Sequence, residues 1–292
     1  MPTVSERVSN GRFVSIELLP PRSPAGEAAL ATAVRELAHL DPAFIAVTYG
    51  ANGSDRGRTE SLVAQLAGTG ALPLPHLTCA AHRRAELVTL LERYRGLRVE
   101  NLLALHGDPP LSATQGLPEG ELRYAIDLVH LAREHGMTCV GVAVHPEGHP
   151  AAPSREADLR HQAAKLREAD FALTQFINRA DDYHRFVDAM DGRGVNTPVI
   201  PGLRIISNVG QAQRIAAMSG APAPAELLDR LHAAGDDAEL GRRIGVDHAV
   251  RVCHGLLDGG APGLHFYSMN RAASTLDVCA AVGWTPTHET TR

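Results

Sequence analysis

Aromatic side chains are scarce in this chain of 292 residues, 4% in all with a single tryptophan. The few that stand near a strand end therefore carry weight. Cysteine is scarcer still: Cys79, Cys139, Cys253 and Cys279, with no C-x-x-C pair among them. That excludes a disulfide framework or a zinc ribbon and predicts buried, reduced thiols. No apolar run approaches the ~20 residues of a membrane helix, and Met1–Gly11 lacks the apolar core of a signal peptide. The net charge is -5 and the cations are dispersed, so no basic stripe is offered to a phosphate backbone. A cytoplasmic protein is expected, bound to neither nucleic acid nor membrane. No Pro/Ser/Gly-rich linker divides it, which predicts one domain over 1–292 with its core at about 13–284.

What is present is alternation. Short apolar runs at Phe13–Leu19, Phe44–Tyr49, His76–Cys79, Asn101–Leu105, Cys139–Val144, Phe171–Phe176, Pro198–Leu203 and Leu264–Tyr267 are separated by amphipathic stretches. Glu27–Leu40, Arg83–Tyr94 and Tyr124–His135 repeat leucine at helical spacing. Two or three helices are expected before the last strand, with Pro222 and Pro224 marking the break between the first two. Eight strands alternating with helices is the count that closes a (β/α)8 TIM barrel. An open doubly wound sheet would show the same alternation. However, the first strand is followed by Pro20-Pro21, where a dinucleotide-binding turn would need glycines.

In such a barrel the active site lies at the C-terminal strand ends. There the sequence places Glu17, Thr48 and Tyr49, His76 and Thr78, His106 to Asp108, His145 to His149, Gln175, Arg204, and Tyr267 to Arg271. Several have plainer readings. Glu17, inside Ser-Ile-Glu-Leu-Leu, could belong to a structural ion pair, since a lone buried carboxylate is costly. Asp108 could cap a turn, and Gln175 could satisfy a backbone group. His145 and His149 have metal-ligand spacing, but Pro146 and Pro150 break the helix that spacing needs, so no metal is expected. His82, His130, His135 and His184 are expected on solvated helix faces.

Taken in order, several motifs resemble the methylenetetrahydrofolate reductase family. They are Ser15-Ile16-Glu17-Leu18-Leu19-Pro20-Pro21, Val47-Thr48-Tyr49-Gly50-Ala51-Asn52-Gly53, Pro75-His76-Leu77-Thr78 and Gly107-Asp108-Pro109-Pro110. Thr174-Gln175-Phe176, Pro201-Gly202 and Asn270-Arg271 continue the set. The resemblance implies reduction of 5,10-methylenetetrahydrofolate to 5-methyltetrahydrofolate, with hydride passing from NADH or NADPH through FAD. It implies Glu17 as general acid and Asp108 between flavin and pterin. A carboxyl in an apolar strand has the raised pKa this role needs. Flavin contacts are implied at Thr48, Tyr49, His76, His106, Gly107, Asp108, Tyr124, Ala125, His145, His149, Asp158, His161 and Lys165. Folate contacts are implied at Gln175, Gln211, Tyr267 and Arg271, and bacterial relatives imply a homo-oligomer. The spacing Asp158–His161–Lys165 predicts one helical face offered to a shared ligand, or a solvated charged face.

The chain departs from the family pattern at named positions. His106 stands where arginine is usual, His145 where an aromatic is common, Asn178 where aromatics and an aspartate follow Gln175-Phe176, and Ile215 where some members carry an aromatic. On the resemblance these positions face flavin and substrate, so a flavin-independent enzyme taking hydride directly from NAD(P)H, or a repurposed reductase of a related pterin or secondary metabolite, is an alternative. A non-catalytic folate- or flavin-binding paralogue is a third reading, against which Glu17 and Asp108 stand intact.

Overall fold

The computed structural model describes residues 2–49, 56–107, 120–220 and 222–284. Eight parallel strands close in sequence order: β1 (Phe13–Leu18), β2 (Ile45–Val47), β3 (Pro73–Thr78), β4 (Asn101–Leu105), β5 (Cys139–Val144), β6 (Phe171–Phe176), β7 (Val199–Leu203) and β8 (Gly263–Tyr267), with β8 pairing back onto β1. The closed ring rules out the open sheet. Among the described residues, the helices are α1 (Val4–Ser9), α2 (Pro24–Leu37), α3 (Arg56–Gly68), α4 (Arg84–Gly96), α5 (Ala125–Glu134), α6 (Arg155–Arg167) and α7 (Ala180–Asp191). Then come α8 (Val209–Ser219), α9 (Ala225–Ala234), α10 (Ala238–Asp258) and α11 (Ala273–Ala281). No helix among the described residues is long and apolar enough to cross a membrane.

The strands read as unbroken apolar runs because both faces are covered. Val14, Ile16 and Leu18 point outward into the layer shared with the helices, as do Val140, Val142 and Val144. The alternate residues Phe13, Phe44, Leu74, Leu103, Phe171 and Ile200 fill the barrel's interior. Phe44 sits 6.2 Å from both Phe13 and Phe171, centroid to centroid. The lower half is thus a packed core rather than a pore.

Two elements differ from expectation. β3 begins at Pro73, not His76, although proline cannot donate to a ladder. Ile45 N donates to Leu72 O, so the even-numbered residues of β3 bond toward β2. The missing N–H groups of Pro73 and Pro75 therefore face the other side, where pairing with β4 starts only at His76. The N-terminal segment also folds, as α1. Thr3 and Glu6 form a capping box, and Val4 and Val8 close the floor of the barrel beside Phe13 and Leu103. Val4 N donates to Asn101 Oδ1 at 2.8 Å.

Three helices precede β8, and Pro222 to Pro224 lie between α8 and α9 as expected. These helices bury a smaller apolar cluster beside the mouth, including Phe176, Ile206, Ile215, Leu227 and Ile244. All four cysteines are buried and free.

Candidate active site

A cavity of about 670 Å³ opens at the C-terminal strand ends. A larger groove, about 840 Å³, lies outside the barrel between α2 and α3 and is lined in part by Leu30, Leu62 and Leu66. It is away from the strand ends, so the chemistry is sought in the smaller cavity.

Glu17 forms part of that cavity's floor. Strand alternation points it inward, and register sets it level with Ala46 of β2 and Tyr267 of β8. Its backbone is held from β8's exit, where Ser268 Oγ donates to Glu17 O at 2.8 Å. Asn270 takes a left-handed backbone, φ 57°, which asparagine tolerates. Its side chain then accepts from Leu19 N at 2.9 Å and donates to Leu19 O at 2.8 Å, as a neighbouring strand would. Asn270→Ala should lower stability by about 2 kcal/mol, the loss of two hydrogen bonds that leave a part-buried amide unpaired. Urea unfolding that shows an unchanged midpoint would discard this role for the Asn270 amide.

Burial pushes the Glu17 carboxyl up to about 8, against the opposing pull of Arg204. Its Oε2 lies 3.7 Å from His76 Nε2. Burial pulls His76 down to about 3, so at neutral pH the pair is an uncharged acid beside an uncharged imidazole. The structural ion pair that the sequence left open does not form with this partner. His76 Nε2 and His265 Nε2 are both buried without a hydrogen-bond partner. Tyr267 completes the floor: its hydroxyl donates to Thr174 O at 2.6 Å and its ring meets Phe176 edge-on at 4.7 Å. The ring fits because position 202 is glycine; a Cβ there would come within 2.4 Å of Tyr267 Cε2.

The walls are built from backbone and small residues. Gly107 has φ +99°, and a Cβ there would stand 3.0 Å from Thr78 Cβ, so β4's exit lies close against β3's. Ala125 at the start of α5, Ala143 and Ala151 also line the space. His145 N donates to Gln162 Oε1 at 2.7 Å, and Gln162 Nε2 donates to His145 O and to Asp158 Oδ2. His149 N donates to the same Asp158 oxygen at 3.3 Å. The two imidazoles meet edge-on, 4.8 Å apart. Burial, with help from His149 and Lys165, pulls His145 down to about 4. Burial lowers Lys165 to about 8, with Asp158 opposing.

The cavity thus gathers Glu17, Tyr49, His76, His106, Gly107 and Ala125. It also gathers His145, His149, Lys165, Gln175 and Tyr267. Gln175 Oε1 accepts from Phe176 N at 3.0 Å. Thr48, Tyr124, Asp158, His161, Gln211 and Arg271 do not line it. Thr48 accepts through its carbonyl from Thr59 Oγ1, and Tyr124 is exposed beneath Arg123. Asp158 faces Gln162 and Arg155 while His161 is exposed, so their helix offers the cavity Lys165 rather than three side chains. Gln211 Oε1 accepts from Ser207 N and Oγ. Asp108 lies outside the described residues.

Ile215 is 2% exposed and belongs to the cluster under α8 to α10, not to the cavity wall. Asn178 is buried, and its carbonyl meets His248 Nε2 at 3.1 Å.

One expectation is corrected. His82 is buried, not solvated, because Ala80 O takes its Nδ1 proton and Tyr49 hydroxyl bonds its Nε2 at 3.0 Å. Gln162 was missed as a positioning residue. Its signal was four-residue spacing from Asp158 on the buried face of α6.

Fold and cavity together define a barrel enzyme with a neutral carboxylic acid at the floor of its strand-end cavity. The chain belongs to the methylenetetrahydrofolate reductase family, whose model matches residues 4–283. It is 36% identical over 275 residues to the 5,10-methylenetetrahydrofolate reductase of Escherichia coli (strain K12), covering 94% of this chain and 91% of the relative. The Salmonella typhimurium enzyme of the same name is 35% identical over the same shares. Among solved structures, a Clostridium thermocellum protein described as binding two copies of 5-methyl-5,6,7,8-tetrahydrofolic acid superimposes with TM-score 0.65. It is 11% identical and covers 96% of this chain and 97% of its own, a likeness of fold.

Proposed function

We propose that this chain reduces 5,10-methylenetetrahydrofolate to 5-methyltetrahydrofolate, with Glu17 as the acid and Asp108 as its partner at the reacting ring. The observation that carries the reading is Glu17: a buried carboxyl raised to about 8 in a strand-end cavity. An acid of that pKa is protonated at neutral pH and can still give its proton up. Its proton assists opening of the methylene bridge to the cationic form that accepts hydride. Gln175 keeps its amide N–H groups available toward the cavity, where a pterin edge needs donors.

A flavin fits the residues present. Gly107, Ala125, Ala143 and Ala151 leave room for a flat ring, and Lys165 supplies a half-buried cation for a pyrophosphate. His145 and His149 offer ring faces and N–H groups along the same wall. Bound FAD would supply hydride carriage between NADH or NADPH and the folate. Residues 1–292 are read as one catalytic domain, supported by barrel closure through β8 onto β1.

The test is the visible spectrum of the purified protein, followed by NADH without oxygen and then methylenetetrahydrofolate. A flavin band that bleaches and then returns supports the cycle. A protein that takes up no added FAD sinks the cofactor assignment and favours direct hydride delivery from NAD(P)H. Lys165→Met should weaken FAD binding about tenfold, since a charge-assisted contact to phosphate is lost. Flavin fluorescence titration that finds unchanged affinity would remove Lys165 from the site.

A further inference from the structure

Beside the Glu17 cavity stand three arginines that the site described so far does not use together. Arg204 continues the inward face of β7 one step past Gly202. Register pairs Gly202 with His265 and Leu203 with Phe266, which sets Arg204 level with Tyr267, and Tyr267 is level with Glu17. The Arg204 guanidinium lies 5.9 Å over the Phe176 ring. Its Nη1 is 3.2 Å from Met269 Sδ, in the turn that carries Arg271 two residues later. Arg214 folds back along α8 toward that helix's first turn, with Nη1 3.5 Å from where a Cβ on Gly210 would stand. Arg204 is half-buried, and Arg214 and Arg271 are exposed.

None of the three has a carboxylate within ion-pair distance among the described residues, whereas Arg84, Arg93, Arg133, Arg193 and Arg242 each do. Burial and the neighbouring charges of Arg214 and Arg271 lower the Arg204 pKa, and only Glu17 opposes them. Glu17 is itself neutral at pH 7, so it supplies little compensation. Three adjacent cations with no counter-charge among the described residues repel one another, and a multiply charged anion relieves that repulsion. A contact to the sulfur and ring of neighbours also leaves most of the Arg204 donors unspent.

We propose that Arg204, Arg214 and Arg271 form a receptor for a ligand arm bearing two or more carboxylates or a phosphate, with Arg204 and Arg214 as specificity-determining residues. The assignment of the arm rests on the folate reading of the cavity, but the receptor itself does not. Two reactants could present this chemistry: a folate whose glutamate tail carries several carboxylates, or the 2′-phosphate that separates NADPH from NADH. The arm enters over Phe176, beside the ends of β7 and β8. Arg271 was expected to contact substrate; its role here is shared with two residues on different elements.

The first measurement is calorimetric titration with inorganic tripolyphosphate at low salt. The Arg204→Gln/Arg214→Gln variant should bind it about tenfold more weakly than the unsubstituted protein, two charge-assisted contacts having been removed. Equal affinity, or no binding to either protein, overturns the receptor. Arg214→Gln alone, at an exposed position, keeps the test valid if Arg204→Gln disturbs folding; it should show a severalfold loss.

The second measurement assigns the arm. The affinity ratio of tri- to monoglutamyl 5-methyltetrahydrofolate, and the KM ratio of NADH to NADPH, are compared between the unsubstituted protein and the double variant. Collapse of the first ratio assigns the receptor to substrate carboxylates, and collapse of the second to the phosphate. If neither ratio moves, the proposal fails. Should the protein bind no folate while tripolyphosphate binding still depends on Arg204, the proposed function falls and the receptor stands.

Discussion

Glu17→Gln should reduce its flavin with NADH at close to the normal rate and lose folate reduction by at least about a hundredfold, the lower end of what a general acid contributes. The two half-reactions separate because glutamine keeps the shape and loses the transferable proton. In the unsubstituted protein the folate step should be flat below pH 8. Above the pKa of about 8 it should fall as the acid form disappears, by about tenfold per pH unit. The sign is fixed by chemistry: the working form is the protonated one, and it dominates below its pKa. Anaerobic stopped-flow of each half-reaction reads both effects. A Glu17→Gln protein that oxidises its reduced flavin with methylenetetrahydrofolate at the normal rate would remove Glu17 from the acid role.

The same carboxyl ties stability to pH. Its folded pKa lies above the ordinary carboxyl value of 4.5, so the folded chain holds this proton between pH 4.5 and about 8 while the unfolded chain does not. Stability from this group is therefore highest below 4.5 and falls as pH rises through that window. Glutamine at position 17 does not incur this loss.

Gly245→Ala should destabilise the protein by about 2–4 kcal/mol, although the same change in an open helix stabilises by roughly 0.5–1 kcal/mol. Gly245 lies within α10, and a Cβ there would stand 2.2 Å from Ile206 O and 2.9 Å from Ile206 C. Backbone cannot rotate aside as a side chain can. Gly241 makes the same approach to Ser207 O, at 2.3 Å. The two glycines let α10 lie directly on the segment between β7 and α8. That segment begins with Arg204 and ends by bonding Gln211 through Ser207. Melting temperature should fall by roughly 4–12 °C. Gly57→Ala in α3, with nothing within 4 Å among the described residues, is the contrasting substitution and should stabilise slightly. A thermal melt in which Gly245→Ala matches or exceeds the parent would show that α10 can shift away freely.

The barrel was legible because strand burial on both faces leaves a strong signal in sequence: eight apolar runs, each in register with the next. β3 was misjudged at its start because proline is read as a breaker. Whether a proline breaks a strand depends on which side its missing N–H faces, and that is a property of neighbours. α1 was passed over because it is short and mostly polar, yet Thr3, Glu6, Val4 and Val8 already spelled a cap and one buried stripe. Glu17 was visible as a carboxyl in an apolar strand. Arg204 was visible only as a strand end, because its company depends on where α8 and the β8 turn bring Arg214 and Arg271. The burial of His82 depends on Tyr49, 33 residues away. Asp158 and His161 share helical spacing with Lys165, but the buried face of α6 turns Asp158 to Gln162 and leaves His161 outside.

With Glu17 in the proposed role of acid, the packed floor of the barrel governs how its proton would be replenished. Below it, His265 and Ser15 bond each other at 2.9 Å, and beneath them lie Phe13, Phe44 and Phe171. Phenyl rings relay no proton, so among the described residues the side chains at the base form no relay up to Glu17. A proton given to the ligand must be replaced through the opening the ligand occupies. Refilling the acid then waits on departure of the product, and the enzyme re-arms itself only when it empties.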